Sequence, residues 1–320
     1  MASAAKGKSE GLISKFTSSF RKTKAKPVTD KVAPNSKPTS SDTDKNRPVA
    51  RVNWPASRLN VIEQLWGMGY TTPGGAERVK QVLPLLNLNE KKSLLLLGAG
   101  LGGICETAVE DTGVWVTGYE PDKELAILGQ ESMIKAGLKR KAPVRYDTLE
   151  GIASKLKPKS FDAMMALDSI HSVADKKALF EAVTSSLRMD GEMLFLSYVL
   201  PDTNPPNEKI QAWANQQCLT PHLWPVEAMM AMLNGMDLDV RPPDDISREY
   251  KSCVLKAWIG FLSNMKKEEL LDKAADVVSE CAHWASLITA IDRGGLKVFQ
   301  FHCIKVPQKR KSVADLMASR

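Results

Sequence analysis

The chain has 320 residues, 43% of them hydrophobic and 25% charged, so it is long enough to bury one sizeable globular core. Its five cysteines are scattered with no CxxC pair, which argues against a disulfide framework and gives no reason to expect a metal site. No apolar run approaches the roughly 18 residues of a membrane-spanning helix. We therefore expect a protein of the reducing cytoplasm.

The net charge of +7 is concentrated at the front of the chain. Residues 1–51 carry 12 Lys and Arg but 4 Asp and Glu, which leaves 32 basic and 33 acidic residues out of the totals of 44 and 37. The nearly neutral remainder argues against a nucleic-acid surface. Residues 1–51, which we call the basic front, are suited to contact with an anionic membrane. We therefore expect peripheral contact with the inner face of a membrane at most.

The composition divides the chain into three parts. Residues 1–51 are rich in Lys, Ser, Thr and Pro, which is typical of a disordered tail. Within them, apolar residues at helical spacing predict an amphipathic helix over residues 11–21, with a solvated tail as the equal alternative. Residues 52–305 form the predicted folded domain, and residues 306–320 form a basic C-terminal tail.

Strands and helices alternate through the predicted domain. Two helices come first, over Ser57 to Trp66 and Gly75 to Leu86. The predicted strands are Ser93 to Leu97, Val114 to Tyr119, Pro143 to Tyr146, Phe161 to Leu167 and Glu192 to Val199. The helices between them are Gly103 to Glu110, Lys123 to Ala136, Leu149 to Lys155 and Asp175 to Leu187. This alternation predicts a parallel sheet covered by helices on both faces.

The chain after Leu200 has a different pattern. A segment containing Pro and Asn precedes a helix near Val226 to Leu233 and an extended stretch near Leu238 to Arg241. A long helical region from Lys251 to Ile291 follows, and the last predicted strand is Leu296 to Ile304. No repeat of fixed period is present.

A glycine-rich loop follows the first predicted strand. Gly98, Gly100, Gly102 and Gly103 come directly after a run of four leucines and open a helix. Without Cβ atoms such a loop turns sharply and lets a ligand approach the backbone, with the first N–H groups of the helix facing it. The loop therefore predicts a ligand site, although a tight turn alone would have the same sequence.

Carboxylates stand at the ends of the next three predicted strands. Glu120 lies 22 positions after Gly98, where a carboxylate can accept hydrogen bonds from both hydroxyls of a ribose. Asp147 follows the third strand and Asp168 follows the fourth. The carboxyl ends of parallel strands form the edge at which ligands bind, so we expect these side chains near the glycine loop.

A dinucleotide site is the sharpest alternative, because Gly98, Gly100 and Gly103 also fit the spacing of an NAD(P)-binding loop. Two features weigh against it. About forty residues of predicted helix precede the loop, and the chain closes with a pair of strands instead of a second mononucleotide-binding half.

These motifs resemble those of class I S-adenosylmethionine-dependent methyltransferases, and within them the small-molecule and phosphobase N-methyltransferases. The resemblance covers roughly Asn53 to Ile304 and includes the segment Trp66 to Gly75 and the run Asp168 to His171. It implies a Rossmann-like sheet of seven mostly parallel strands, with the last strand antiparallel beside the fifth. It implies S-adenosyl-L-methionine as cofactor, a cofactor half over residues 90–200, and an acceptor side formed by residues 201–305 with the leading helices 53–88. The residues that it assigns to the cofactor are Gly98, Ala99, Gly100, Gly102, Glu120, Asp147 and Asp168.

The sequence departs from this family at three places. Leu96 stands where the family carries an acid two positions before its first glycine, and Ser172 replaces a catalytic histidine, with His171 one position earlier. Cys218 to Thr220 stand where the phosphobase enzymes place Arg and Tyr on the substrate phosphate, which disfavours phosphoethanolamine. We expect a methyltransferase that acts on a small molecule or a lipid headgroup, with an amine as the candidate methyl acceptor. A catalytically degenerate methyltransferase-like binding protein is the alternative.

The acceptor side offers weaker signals. His171 is the candidate general base, because it lies near the end of the fourth strand and imidazole titrates near neutral pH. A helix-start histidine bonded to backbone is the alternative. Aromatic rings and a carboxylate on nearby loops are suited to a cationic amine. The candidate substrate-binding residues are Trp66, Tyr70, Tyr198, Trp224, Asp245 and Tyr250. The sequence indicates no oligomeric state.

Overall fold

The computed structural model describes residues 54–201, 207–217 and 219–307. The predicted helix over residues 11–21, the rest of the basic front and residues 308–320 lie outside the described residues. None of the helices in the described part of the chain is both long and apolar enough to cross a membrane.

Eight strands form one sheet. They are β1 (Ser93–Leu97), β2 (Trp115–Glu120), β3 (Val144–Tyr146), β4 (Phe161–Ala166), β5 (Leu187–Val199), β6 (Leu238–Val240), β7 (Asp244–Asp245) and β8 (Lys297–Lys305). The strand order is β3-β2-β1-β4-β5-β8-β6, with the two-residue β7 paired to β8. The strands β1 to β5 pair in parallel, whereas β8 is antiparallel to both β5 and β6. The predicted mostly parallel sheet, closed by an antiparallel strand beside the fifth, is confirmed.

Eleven α-helices surround the sheet in the described residues. They are α1 (Ala56–Trp66), α2 (Gly75–Val82), α3 (Gly103–Thr112), α4 (Lys123–Lys135), α5 (Leu149–Ala153), α6 (Lys176–Ser186), α7 (Asn207–Ala214), α8 (Val226–Asn234), α9 (Ser247–Asn264), α10 (Lys267–Asp272) and α11 (Ala274–Asp292). Two short 3₁₀ helices, Leu83–Leu86 and Ile170–Ser172, complete the set.

The structure differs from the predicted elements at several places, and it adds the short strand β7, which was not predicted. The long helical region is divided into α9, α10 and α11, because Met265 and Lys266 adopt extended backbone angles after α9 and Lys273 leaves helical geometry between α10 and α11. Strand β5 begins at Leu187 and not at Glu192, with a register shift that lets its first residue pair with Phe161. Helix α7 was not predicted, because its eight residues directly follow a segment rich in Pro and Asn that indicates a loop.

The four leucines at the end of β1 show how the sheet is covered on both faces. All of them are fully buried. Leu94 and Leu96 pack into one apolar cluster, and Leu95 and Leu97 pack into a second cluster that includes Phe180. Alternate residues of a strand point to opposite faces, so two cores meet at this strand. Each leucine contributes about 2 kcal/mol by burial, which holds β1 and the loop after it in place.

Candidate functional site

The glycine loop is joined by backbone hydrogen bonds to the neighbouring strand. The N–H groups of Gly98 and Ala99 both donate to the carbonyl oxygen of Tyr119, at 2.8 and 3.0 Å. Gly98 has a φ of 80°, in the left-handed region that favours glycine. A Cβ atom at this position would lie 2.7 Å from the Cβ of Ser169. The loop therefore lies against the chain that follows β4 and needs glycine there.

A second segment covers the same loop from the other side. We call residues 66–75 the cap segment. The carbonyl oxygen of Gly69 accepts a 2.9 Å hydrogen bond from the N–H of Gly103, the first residue of α3. A Cβ on Gly100 would lie 3.0 Å from Oγ1 of Thr71. The sequence predicted that N–H groups of the α3 start would face a ligand, but Gly103 donates to the cap segment instead.

Glu120 ends β2, and both oxygens of its carboxylate accept a backbone N–H group. One carboxylate oxygen, Oε2, accepts from the N–H of Gly100 at 2.7 Å, and Oε1 accepts from the N–H of Asp122 at 2.9 Å. The residue is only 6% exposed. Burial raises the pKa of Glu120 to about 7, although both N–H groups favour the charged form. The two bonds fix the direction of the carboxylate.

Asp168 follows β4 with a φ of 60°, which is unusual for a residue other than glycine. Its Oδ2 atom accepts a 2.7 Å hydrogen bond from the hydroxyl of Tyr250. That hydroxyl lies 2.8 Å from the hydroxyl of Tyr198. The other oxygen, Oδ1, is buried and has no hydrogen-bond partner within the described residues. Burial raises the pKa of Asp168 to about 6, against the opposing effects of Tyr250 and the Arg78 charge.

His171 lies in the 3₁₀ turn just beyond Asp168. Its ring centroid is 4.8 Å from that of Tyr198 and 6.0 Å from that of Trp213. Its Nδ1 atom is buried without a partner in the described chain. Burial lowers the pKa of His171 to about 3, and the charge of Lys176 acts in the same direction. The ring is therefore neutral and a weak base at neutral pH, which does not favour the predicted role as general base.

A cavity of about 220 Å³ lies at this edge of the sheet. It brings together Gly98, Glu120, Asp168 and His171, four of the residues singled out in the sequence. The other residues that line it are Trp54, Thr71, Thr72, Pro121, Asp122, Leu125, Leu167, Ser169, Ser172, Gln217 and Leu219. Most of these directly follow a motif or a strand end, a signal that the sequence did contain. Trp54 and Gln217 carry no such signal, whereas Leu219 lies in the segment Cys218 to Thr220 that the family resemblance places at the substrate phosphate.

Four predicted cofactor residues do not line this cavity. Ala99 is buried. A Cβ on Gly100 would contact Thr71, and a Cβ on Gly102 would lie 2.9 Å from the end of the Met133 side chain. Asp147 forms an ion pair with Lys155 on the far side of β2. Roles for these residues at a cofactor stay predictions.

The predicted acceptor-side aromatics divide into two groups. Tyr198 and Tyr250 are buried, and their hydroxyls connect to the cavity through Asp168. Trp66 instead packs edge-on against Trp284, with 4.8 Å between the ring centroids. This ring is 5% exposed and belongs to the core.

Three further predicted acceptor residues are engaged elsewhere. The hydroxyl of Tyr70 donates to the carbonyl oxygen of Gly103 at 2.9 Å and so anchors the cap segment. Trp224 packs against the apolar cluster on the other face of the sheet. Asp245 is exposed and pairs with Lys297 at 3.0 Å. The sequence predicted that all three residues lie near the ligand-binding edge of the sheet, but packing decides the direction in which their side chains point.

A family model matches a range of the chain that includes the residues lining the cavity, except Trp54, Thr71 and Thr72. Residues 74–306 match the family described as mycolic acid cyclopropane synthetase. The chain belongs to this family. The predicted resemblance to class I methyltransferases of the phosphobase group is also confirmed by the curated relatives.

Phosphoethanolamine N-methyltransferase 1 of Zea mays is 25% identical over 224 residues, which cover 70% of this chain and 43% of that protein. Phosphoethanolamine N-methyltransferase of Plasmodium falciparum is 24% identical over 214 residues, covering 66% of this chain and 77% of that protein. This chain spans less than half the length of the plant relatives that it matches.

A solved structure shows the same fold. Phosphoethanolamine N-methyltransferase 2 of Haemonchus contortus, in complex with S-adenosyl-L-methionine, superimposes with a TM-score of 0.64. Its sequence identity is 17%, and the match covers 78% of this chain and 57% of that one. At this identity the likeness establishes the fold alone, so the chemistry of the site has to be argued from its residues.

Proposed function

We propose that this chain is an S-adenosylmethionine-dependent methyltransferase that acts on an amine, either a small molecule or a lipid headgroup. The observation that carries the proposal is a pair of carboxylates, that of Glu120, which is buried, and that of Asp168, whose Oδ1 atom is buried, and both line one cavity on the two sides of Gly98. The relatives support it, because the curated ones are named as phosphoethanolamine N-methyltransferases.

The chemistry of the cavity fits this cofactor. Glu120 uses one lone pair on each oxygen for a backbone N–H, so the remaining lone pairs are available to the two hydroxyls of a ribose. The bare backbone at Gly98 allows close approach of the methionine part. Leu96 is fully buried in the core and offers no acid to the amino group of that part. We therefore expect cofactor affinity below that of relatives with an acid there.

Asp168 is the residue that we assign to the acceptor amine. Its unpartnered Oδ1 atom is the open hydrogen-bond acceptor on this side of the cavity, and Tyr250 holds the other oxygen in place. A nitrogen bonded to Oδ1 is oriented by a charge-assisted hydrogen bond. With a pKa near 6, this carboxylate is also a better proton acceptor than an exposed aspartate.

The cofactor supplies an electrophilic methyl group on a sulfonium. The chain has to align the nitrogen lone pair with that group and exclude water, and proximity of this kind accounts for about 7 kcal/mol or more of a barrier. The side chains of His171, Leu167 and Trp54 give the cavity an apolar and aromatic lining that excludes water. No further acid or base is required.

Two measurements on the full chain test the proposal. Titration calorimetry with S-adenosylmethionine, its demethylated product and NAD should give binding of the first two only. Incubation with cofactor labelled in its methyl group and a panel of amines should then transfer label. The panel includes phosphoethanolamine, its monomethylated form, ethanolamine and vesicles containing phosphatidylethanolamine.

Each outcome of these measurements has a separate meaning. Binding of NAD alone would refute the methyltransferase assignment and favour the dinucleotide alternative. Binding of S-adenosylmethionine without transfer to any amine, including those in a cell extract, would favour the degenerate binding protein. Transfer to the vesicles but not to free amines would identify a lipid headgroup as the acceptor.

We also propose that the basic front brings the enzyme to anionic membranes. Its surplus of eight positive charges supports this, because each Lys or Arg near such a surface contributes about 1 kcal/mol. Cosedimentation of the full chain with phosphatidylserine vesicles should fall with salt and with the double variant Lys22→Glu and Lys24→Glu. Equal binding of wild type and variant would contradict a role for the tail.

A further inference from the structure

Lys176, the first residue of α6, is a buried cation that forms no ion pair within the described residues. Its side chain is fully buried, and none of the ion pairs in the described part of the chain includes it. The ammonium nitrogen, Nζ, donates to the carbonyl oxygens of Val173 and His222, both at 2.6 Å. It also lies 5.9 Å from the centroid of the Trp224 ring. Two of its three N–H groups are thereby used in hydrogen bonds.

The two carbonyl groups belong to separate parts of the acceptor side. Val173 ends the 3₁₀ turn that carries His171 into the cavity. His222 lies in residues 219–224, which we call the roof segment because Leu219 lines the cavity from there. The N–H of His222 donates to the carbonyl of His171 at 2.8 Å, which adds a third bond between the same two parts.

The roof segment has few other backbone hydrogen bonds, although Leu223 and Trp224 pack against the two apolar clusters. Its far end is held where the N–H of Leu200 donates to the carbonyl of Trp224 at 3.0 Å. Between these points no helix or strand stabilises it. Burying an ammonium group without a carboxylate costs free energy that an apolar side chain would not. The hydrogen bonds that the ammonium group makes, and not a gain in the free energy of unfolding, therefore explain why a charged group is buried here.

We propose that Lys176 is a positioning residue whose ammonium group clamps the roof segment to the turn after β4 and thereby shapes the acceptor side of the cavity. The clamp itself is a feature of the fold. Its effect on the acceptor rests on the proposed function.

The charges around Lys176 indicate when the clamp is engaged. Burial lowers the pKa of Lys176 to about 8, and Glu150 of α5 opposes this shift. His171 faces the ammonium from the 3₁₀ turn and is neutral at these pH values. The side chain is thus charged at pH 7 and loses its proton as the pH rises through about 8. Above this pH its hydrogen bonds to the two carbonyl groups are no longer charge-assisted and are weaker.

Hydrogen–deuterium exchange on the full chain without ligand tests the clamp. In Lys176→Met, which keeps the apolar stem, exchange in a peptide spanning residues 219–226 should rise at least tenfold. The matched control is Lys177→Met, whose wild-type side chain is 70% exposed and pairs with Glu181 across one turn. This control should leave the peptide unchanged, and a peptide over residues 93–97 should be unchanged in both variants.

Kinetics separate positioning from general damage. Lys176→Met should raise the KM of the acceptor about tenfold and leave the Kd of S-adenosylmethionine within twofold, because Glu120 and Gly98 lie on the other side of the cavity. Lys176→Arg, which keeps the charge, should recover part of the loss. Equal weakening of both ligands would contradict a specific role on the acceptor side.

A pH titration of the wild type keeps the test decisive if Lys176→Met fails to fold. Trp224 fluorescence should change with a midpoint near pH 8, and the change should be absent in Trp224→Phe. A flat signal, or unchanged exchange in residues 219–226 of a folded Lys176→Met, would overturn the clamp. Failure of the wild type to bind S-adenosylmethionine would instead reject the proposed function and leave the exchange result to judge the clamp.

Discussion

The two sides of the cavity are built in different ways. The cofactor side runs from Gly98 to Glu120 and is held by hydrogen bonds from backbone N–H groups to residues 20 or 21 positions further along the chain. The acceptor side depends on side chains from distant positions, such as Asp168 bonded to Tyr250. One side is therefore a local motif, whereas the other exists only in the folded chain.

The two carboxylates show the same contrast. Both oxygens of Glu120 already accept an N–H from the chain, so the group is fixed before any ligand arrives. Asp168 has one oxygen held and one left open inside the protein. A carboxylate that is already fixed is suited to binding the cofactor, whereas a carboxylate with an open oxygen is suited to binding the acceptor amine that reacts. The following changes test this difference.

The largest effect is expected for Gly98→Ala. The new Cβ would lie 2.7 Å from Ser169 at a φ of 80°, so the free energy of unfolding should fall by at least about 2 kcal/mol. Binding of S-adenosylmethionine should be lost in calorimetry. The matched control is Gly137→Ala, which has a φ of 74° but nothing within 4 Å of the added Cβ. A similar loss in both variants would show that strain alone, and not contact with the turn after β4, explains the glycine.

Asp168→Asn should have the next largest effect. The amide can still accept the hydrogen bond from Tyr250 but has no charge for the acceptor nitrogen, so kcat/KM for the amine should fall by about 10- to 100-fold. The Kd of S-adenosylmethionine should change little. A matching loss of cofactor affinity would instead place Asp168 on the cofactor side, as the sequence predicted. Steady-state kinetics and calorimetry on the same preparation make the distinction.

Titration of Glu120 should produce two pH effects of opposite sign. Burial raises its pKa from 4.5 to about 7, so the folded protein prefers the protonated form. Its stabilising contribution is full below pH 4.5 and is lost as the pH rises to 7, a change of about 3 kcal/mol in the free energy of unfolding. Cofactor affinity should rise about tenfold over pH 6 to 8, because the charged form accepts the ribose hydroxyls.

Glu120→Gln provides the control for this pH dependence. The amide does not titrate, so both the stability difference and the change in affinity should be flat in this variant. Denaturant unfolding and calorimetry at four pH values would measure them. An affinity profile that stays steep in Glu120→Gln would show that another group is responsible.

The smallest effect is expected for Asp147→Asn. The wild-type side chain is engaged with Lys155 and does not line the cavity, and an ion pair with an exposed lysine contributes about 0–1 kcal/mol. Cofactor affinity should therefore change by about threefold at most. A loss as large as that of Asp168→Asn, seen in the Kd of S-adenosylmethionine, would place this residue at the adenine as the family resemblance implies.

The family match and the family resemblance agree with the sheet and with the glycine loop that the sequence predicted. Alternation of apolar runs and helices determined the parallel sheet, because each strand buried on both faces needs a continuous apolar sequence. The glycine spacing and the carboxylates at strand ends located the candidate site, because the edge of such a sheet brings these positions together. All of this information is local in the chain.

The acceptor side was decided by the tertiary structure. Nothing in the sequence distinguishes Trp66, which packs in the core, from Trp54, which lines the cavity. Likewise, Lys176 reads as an ordinary helix-start lysine until the fold closes the roof segment over it. The Trp66 ring packs on Trp284, 218 positions away, and the Lys176 ammonium is bonded to His222, 46 positions away. Composition and spacing therefore determined the architecture and the cofactor edge, while long-range packing alone decided what faces the acceptor.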